Sequence, residues 1–163
     1  MGLFTFIKEA GEKLFHHESA KPDATSASND VSALNDTAGK AILDYIRTQN
    51  LSAENLSVAF DGSTSTATVS GEAADQATRE KIVLCCGNVA SVEHVNDQMT
   101  VAGASEATAR FYTVKSGDTL SKISKEMYRD ANQYMSIFEA NKPMLGDPDK
   151  IYPGQMLRIP ERT

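Results

Sequence analysis

Residues 112–124 read YTVKSGDTLSKIS, and this stretch decides the fold of the C-terminal third of the chain. Aromatic and β-branched residues at its start predict a strand over residues 111–114. Gly117 and Asp118 predict a turn, and Thr119 is a residue type that caps helices. Apolar residues at helical spacing follow and predict a helix whose inward-facing positions are Leu120, Ile123 and Met127.

The residues that follow complete a small unit. A second helix is predicted around Ile137, Phe138 and Asn141, and residues 151–160, IYPGQMLRIP, return as a strand. This βααβ order and these motifs resemble the LysM domain, a family that binds the sugar chains of cell walls. The resemblance implies a groove for N-acetylglucosamine glycans between the first turn and the loop before the last strand, formed here by Gly117, Asp118, Thr119, Leu120, Lys142, Pro143, Ile151 and Tyr152.

A second unit is predicted upstream, over residues 36–101. Its first helix is capped by Asp36 or Thr37 and buries one face. The apolar positions of that face are Ala38, Ala41, Ile42, Tyr45 and Ile46. Alternating apolar residues on either side of the turn at 61–64, DGST, then predict a β-hairpin. Those residues are Leu56, Val58, Phe60, Ala67 and Val69.

The same unit continues with a helix over residues 75–86 and a last strand. Gly87 is predicted to end the helix in a left-handed conformation. The inner positions of the helix are predicted to be Thr78, Ile82, Cys85 and Val89, and those of the strand Val95, Met99 and Val101. Cys85 and Cys86 are adjacent, so they are interpreted as two small buried residues in a reducing compartment.

The order helix, strand, strand, helix, strand resembles the BON domain, a small bacterial α/β fold. The likeness is carried by the hairpin from Val58 to Gly71 and by the segment GNVASVEHVND at residues 87–97. The fold class is therefore predicted as α+β, with a BON domain at 36–101 joined through a linker at 102–110 to a LysM domain at 111–163.

The N-terminal residues are predicted to form a short helix over 3–15 that docks on the BON domain, followed by a flexible tether at 16–35. No stretch approaches the roughly 20 apolar residues of a spanning helix, and Glu9 and Glu12 interrupt the apolar region that a secretory signal requires. Since Lys8 and Lys13 only balance these acids, a membrane-surface anchor is not favoured. We expect a cytoplasmic monomer.

Charge and motifs narrow the function to binding. The chain has a formal net charge of −6, and residues 31–101 hold four basic and nine acidic residues, a net charge of −5. This excludes the basic stripe of a nucleic-acid-binding protein. We find no nucleophile–base pair, phosphate-binding loop or metal cluster with usable spacing, so the chain is not predicted to be an enzyme.

A cation is the ligand that the middle of the chain favours. The last carbonyls of a helix lack internal partners and carry the negative end of the helix dipole, so the helix end near Gly87 offers oxygens to a cation or to a capping donor. Gly11, inside the N-terminal pattern, would free carbonyls in the same way. A ring of neutral oxygens suits K⁺, whereas Mg²⁺ and Ca²⁺ favour carboxylates. An ordinary capped helix end is the alternative.

Taken together, MGLFTFIKEAGEKLF at residues 1–15, the BON-like segment and the LysM-like motifs resemble the family of bacterial cytoplasmic potassium-binding proteins that combine one BON and one LysM domain. The resemblance implies that K⁺ is held by backbone oxygens and that binding orders and compacts the two domains. It further implies a K⁺ sensor or buffer in which LysM is a packing partner or an output surface for a protein partner. Carried onto this chain, the ligands are the carbonyls of Ile7, Ala10, Glu12, Gly87, Val89 and Val92.

Overall fold

The computed structural model describes residues 2–5, 27–103 and 108–162, with the backbone alone for residues 2–5 and 27–30. Helices and strands are mixed, as the α+β prediction requires. In chain order the elements are β1 (Gly2–Thr5), α1 (Ala27–Thr48), β2 (Glu54–Asp61), β3 (Thr66–Ala73), α2 (Gln76–Gly87), β4 (His94–Val101), β5 (Arg110–Thr113), α3 (Leu120–Tyr128), a 3-10 turn (Ala131–Gln133), α4 (Tyr134–Ala140) and β6 (Met156–Ile159).

The first domain is a four-stranded sheet in the order β1-β4-β3-β2, with α1 and α2 on one face. The predicted hairpin is confirmed, since β2 and β3 pair antiparallel with Val58 opposite Val69. β3 and β4 run parallel and are joined by α2, which makes a β-α-β crossover. Apolar residues from the sheet and both helices form one core, which includes Ile42, Val69, Ile82, Val95 and Met99.

The N-terminal helix predicted over residues 3–15 is wrong for residues 3–5. These residues belong to β1, which pairs antiparallel with β4, Leu3 opposite Asn96 and Thr5 opposite His94. A strand at a sheet edge exposes unpaired backbone groups, and β1 satisfies those of β4, whereas an isolated short helix is marginal in water. Residues 6–15 lie outside the described part of the chain.

The tether predicted over residues 16–35 is wrong from residue 27 onward, because α1 begins at Ala27. Asp36 and Thr37 therefore lie inside the helix and do not cap it. The Thr37 hydroxyl donates to the Ala33 carbonyl one turn earlier, at 2.8 Å, and so is satisfied without a cap. Once a helix is nucleated each added residue gains a backbone hydrogen bond, which favours extension through this polar stretch. Residues 16–26 lie outside the described part.

The second domain has the predicted βααβ order. β5 and β6 form an antiparallel pair with Tyr112 opposite Leu157. Thr119 caps α3 as expected, since its hydroxyl accepts from the Lys122 N–H at 3.2 Å. α3 and α4 pack on the pair through a core that contains Leu120, Ile123, Ile137, Phe138, Leu157 and Ile159.

The linker predicted at 102–110 is shorter in the structure. Arg110 already belongs to β5, and Ala109 is buried with its N–H bonded to Glu80 Oε1 at 3.0 Å. Residues 104–107 lie outside the described part. The end of the predicted linker is thus part of a direct contact between the two domains.

Candidate functional site

The second helix, α2, is buried on every side over its C-terminal half. Asp75 caps its start by accepting from the Thr78 N–H at 2.7 Å. Residues 82–87 are all buried, so the prediction of a single inner side is too narrow. The reason is that α2 lies between the first sheet and the second domain, and a helix enclosed in this way is apolar all round.

The cysteines of α2 behave as predicted from the sequence. Cys85 and Cys86 are buried and free, with 1% and 0% of their surfaces exposed. Burial raises the pKa of the Cys86 thiol well above its usual value, because the thiolate would be desolvated. Cys86 is therefore a core residue held in its neutral form.

The C-terminus of α2 differs from the prediction. Gly87 is the last helical residue, and Asn88 is the C-cap with φ −81°. The left-handed glycine cap predicted at Gly87 is therefore wrong. The chain closes the helix instead by bonds from the Asn88 N–H to the Leu84 and Cys86 carbonyls, which a residue of ordinary φ can make.

The turn that follows α2 leaves carbonyl oxygens available. The Val92 N–H donates to the Val89 carbonyl at 3.0 Å, and the Val89 N–H to Cys86 at 3.3 Å. Within the described residues, no hydrogen bond reaches the carbonyl oxygens of Gly87 and Val92. The Val89 and Val92 side chains are buried in the first core, with 1% and 0% exposed, so only the backbone of these residues can serve a ligand.

Three of the six predicted ligands are thereby brought into one turn. Gly87, Val89 and Val92 lie within six consecutive residues at the end of α2. Ile7, Ala10 and Glu12 lie outside the described residues. β1, however, runs toward this turn, since its last residue, Thr5, pairs with His94.

Side chains offer a cation fewer ligands than the backbone carbonyls of the α2 turn do. Among the residues that the structure describes, no group of three or more His, Cys, Asp or Glu side chains could hold a metal ion. Asp97, the acidic residue of β4, is 4% exposed, accepts from Arg79 Nε at 3.0 Å and from the Met99 N–H at 2.9 Å. Its carboxylate therefore fixes α2 to the sheet.

The predicted glycan residues at the first turn of the second domain serve the fold itself. The Asp118 carboxylate accepts from the Lys115 N–H and from the Tyr112 hydroxyl, both at 2.9 Å. The Lys115 N–H bond is the main cause of the lowered pKa of Asp118. Gly117 has φ +83°, a conformation that favours glycine, and Leu120 is buried. Thr119 is the cap of α3.

The other predicted glycan residues all lie after α4. Lys142, in the turn after α4, contacts two residues of that helix, with Nζ 2.7 Å from Glu139 Oε1 and 4.6 Å from the Phe138 ring centre. Pro143 is exposed, and Ile151 packs against the core that contains Leu120. The Tyr152 N–H donates to Gln155 Oε1 at 3.3 Å. The contacts of Lys142 and Ile151 thus serve the fold itself.

Comparison with known proteins agrees with this architecture. The family models for the BON domain and the LysM domain match residues 34–103 and 112–160. The potassium binding protein Kbp of Escherichia coli O6:H1 is 46% identical over 163 residues, which is 99% of each chain. The chain belongs to the Kbp family of BON–LysM proteins. An uncharacterized protein of Deinococcus radiodurans is 51% identical over 49 residues, which is 30% of this chain and 19% of that protein.

Sequence reasoning gave LysM as a possible packing partner of the BON domain but did not find the residues that join the two domains. Glu80 of α2, 4% exposed, binds Arg158 of β6 through Oε2 and Nε at 2.5 Å. Asn88 forms two hydrogen bonds with the Met156 backbone, each 3.1 Å long. The signal that could have found this interface is the apolar run IVLCC at residues 82–86, which is too long for a helix that buries one face.

In the described part of this Kbp-family chain, no helix is long and apolar enough to cross a membrane.

Proposed function

We propose that the chain binds K⁺ through backbone carbonyl oxygens and acts as a cytoplasmic, monomeric K⁺ sensor or buffer. The proposal is carried by the 46% identity, over 99% of both chains, to a protein named for potassium binding. The ligands are the carbonyls of Ile7, Ala10, Glu12, Gly87, Val89 and Val92. The chain is a binding protein and not an enzyme.

The turn after α2 supports Gly87 and Val92 in this ligand set, while the Val89 oxygen already accepts from the Val92 N–H and has only its second lone pair to offer. A carbonyl oxygen that is taken out of water without a partner costs about 1–3 kcal/mol, and the Gly87 and Val92 oxygens accept no bond from the described residues. The negative end of the α2 dipole lies at the same place. K⁺ can exchange its hydration shell for carbonyl oxygens, so an ion here would satisfy both the oxygens and the dipole.

The path of β1 supports the N-terminal ligands, Ile7, Ala10 and Glu12. Thr5 pairs with His94, two residues beyond Val92. An extended residue spans about 3.3–3.6 Å, so the chain after Thr5 starts within reach of the Val92 turn. Ile7 follows Thr5 by only two residues. The chain from Ile7 onward is therefore long enough to bring its carbonyls to those of Gly87, Val89 and Val92.

The mechanism is coupled ordering. An ion that joins the N-terminal segment to the α2 turn prefers the state in which the two face each other. It shifts the population toward that compact state by its difference in affinity for the two states. A protein that responds to an abundant ion needs only a modest difference in ion affinity between its two states.

The experiment is a titration of the full chain with KCl, followed by calorimetry and by amide NMR, with NaCl at equal ionic strength as the control. Shifts at residues 87–92 with KCl but not NaCl are expected. Gly87→Val and Gly11→Val should each weaken K⁺ binding, because a β-branched side chain added beside the ligand carbonyls, at Gly87 in a buried position, displaces the backbone that carries them. Gly146→Val is the matched control, since no atom lies within 4 Å of a Cβ there.

Side-chain changes at the valines give a second measurement. Val89→Ile and Val92→Ile should alter binding only through packing, because the ligand atoms belong to the backbone. Unchanged affinity in both Gly87→Val and Gly11→Val, with the fold retained by circular dichroism, would refute the ligand placement.

A second candidate function is glycan binding by the LysM domain. It is favoured by the LysM family match over residues 112–160. N-acetylglucosamine oligomers should then shift the amides of Thr119 and Ile151, on the two sides of the predicted groove. The absence of such shifts at saturating oligomer would leave LysM as a packing partner of the BON domain or as an output surface.

A further inference from the structure

Asn88 lies in the candidate ion turn, between Gly87 and Val89, and also holds the LysM domain. Its Nδ2 donates to the Met156 carbonyl, and its Oδ1 accepts from the Met156 N–H, each at 3.1 Å. The side-chain amide thus pairs with the first residue of β6 as a neighbouring strand would. Asn88 is the C-cap of α2 as well, so its backbone is part of the helix end.

A second attachment between the domains lies further back on α2. Glu80 binds Arg158 and the Ala109 N–H, and it precedes Asn88 by eight residues, or about 12 Å of helix. Hydrogen bonds within the helix fix the backbone at Glu80. Asn88 is held by the helix on its N-terminal side only, through its N–H bonds to the Leu84 and Cys86 carbonyls, and the chain after it enters the turn. Of these two attachments, the one at Asn88 is therefore the one that a ligand in the turn can move.

The peptide bond provides the mechanical link. The Gly87 carbonyl and the Asn88 N–H belong to one planar peptide unit, whose N–H donates to the Leu84 and Cys86 carbonyls. An ion that turns the Gly87 oxygen therefore also turns this unit and moves the backbone at Asn88. From that backbone the side chain reaches Met156. Met156 pairs with Thr113 of β5 and begins β6, and Arg158 in β6 is held by both amide atoms of Asn141 at the end of α4. A displacement of Met156 is therefore passed to the rest of the LysM domain.

We infer that Asn88 is the positioning residue that couples ion binding in the turn to the placement of the LysM domain. This inference rests on the proposed K⁺ function. Coupling between two sites is reciprocal, so contact with LysM also prearranges the Gly87 and Val89 carbonyls for the ion. Asn88 contributes no ligand atom in this scheme.

The test is a KCl titration of the full chain and of Asn88→Ala, followed by amide NMR. In the wild-type chain, residues 87–92 and the β6 amides should shift with one midpoint. In Asn88→Ala the turn should still respond, with a Kd for K⁺ about five- to tenfold higher, and the β6 shifts should be lost. Alanine accommodates φ −81°, so the helix end can be retained.

Asn96→Ala is the matched control, because Asn96 is half-buried on β4 outside the interface, and it should behave as wild type. If Asn88→Ala does not fold, Asn88→Gln, which displaces the same amide by one methylene, replaces it. Retained β6 shifts with an unchanged Kd in the variant would overturn the inference. So would a wild-type turn that responds to K⁺ while β6 does not. A wild-type turn that does not respond at all would instead remove the K⁺ function itself.

Discussion

Arg158→Met tests the buried ion pair between the two domains. The Glu80 and Arg158 side chains are 4% and 12% exposed, so the substitution leaves a carboxylate in the interface without its counter-charge. Removal of one partner of a buried pair costs about 3–5 kcal/mol. Glu80 Oε1 would still accept from Gln76 Nε2 at 2.8 Å and from the Ala109 N–H at 3.0 Å. We therefore expect the lower end of this range, about 3 kcal/mol of unfolding free energy.

The assay is urea denaturation of the full chain by far-ultraviolet circular dichroism and by tyrosine fluorescence, since the sequence has no Trp and five Tyr. Equal midpoints from the two signals are needed for a two-state free energy. In a thermal melt the same loss would lower Tm by about 6–12 °C.

Two further variants make the result specific to the pair. Arg47→Met is the matched control, because Arg47 is 62% exposed and only 3.5 Å from an exposed Asp44, and it should cost less than about 1 kcal/mol. The double variant Glu80→Gln/Arg158→Met should recover part of the loss, since neither charge remains. A loss below about 1 kcal/mol for Arg158→Met would refute the conclusion that this pair is shielded from water.

Three other predictions concern single positions. Gly39→Ala should destabilise the chain by about 1–2 kcal/mol in urea denaturation, because its Cβ would lie 2.8 Å from a β2 carbonyl oxygen, while Gly146→Ala should change little. Asp75→Ala should cost about 1 kcal/mol through loss of the α2 cap, and an unchanged urea midpoint would contradict this role. Burial and the hydrogen bond to Asp118 raise the pKa of Tyr112 from 10.0 to about 12. The fold thus binds the phenolic proton more tightly than the unfolded chain, so this stability is complete below about pH 10 and is lost toward pH 12. Tyr112→Phe should reduce that pH dependence, and equal slopes in both proteins would contradict the prediction.

The second domain could be predicted from sequence because its signals are local. Gly117 and Thr119 each fix the backbone within a few residues, and the structure confirms the turn and the cap. The hairpin of the first domain was found for the same reason, since Val58 and Val69 alternate with polar neighbours around a short turn. Such features depend on chain conformation within one turn or one hairpin.

The errors lie where a distant partner decides the structure. Residues 3–5 were predicted as the start of a helix, yet with Gly2 they form β1, because β4 offers a free edge about 90 positions away in the sequence. Gly87 was expected to end α2 in a left-handed conformation, but Asn88 ends it and is fixed by Met156 of the other domain. No pattern near Gly87 contains this information.

The burial of Gly87, Val89 and Val92 in the α2 turn explains why carbonyl oxygens suit the proposed site better than carboxylates. A carboxylate placed in this turn would be a buried charge whenever the ion left, and isolated buried charges cost several kcal/mol. An unpaired carbonyl costs only about 1–3 kcal/mol. The ion-free and ion-bound states of a carbonyl site are therefore close in free energy, which reversible binding of an abundant ion requires. Asn88 also connects this turn to Met156. A small change in the direction of the turn's carbonyls therefore affects the LysM domain as well as the BON domain.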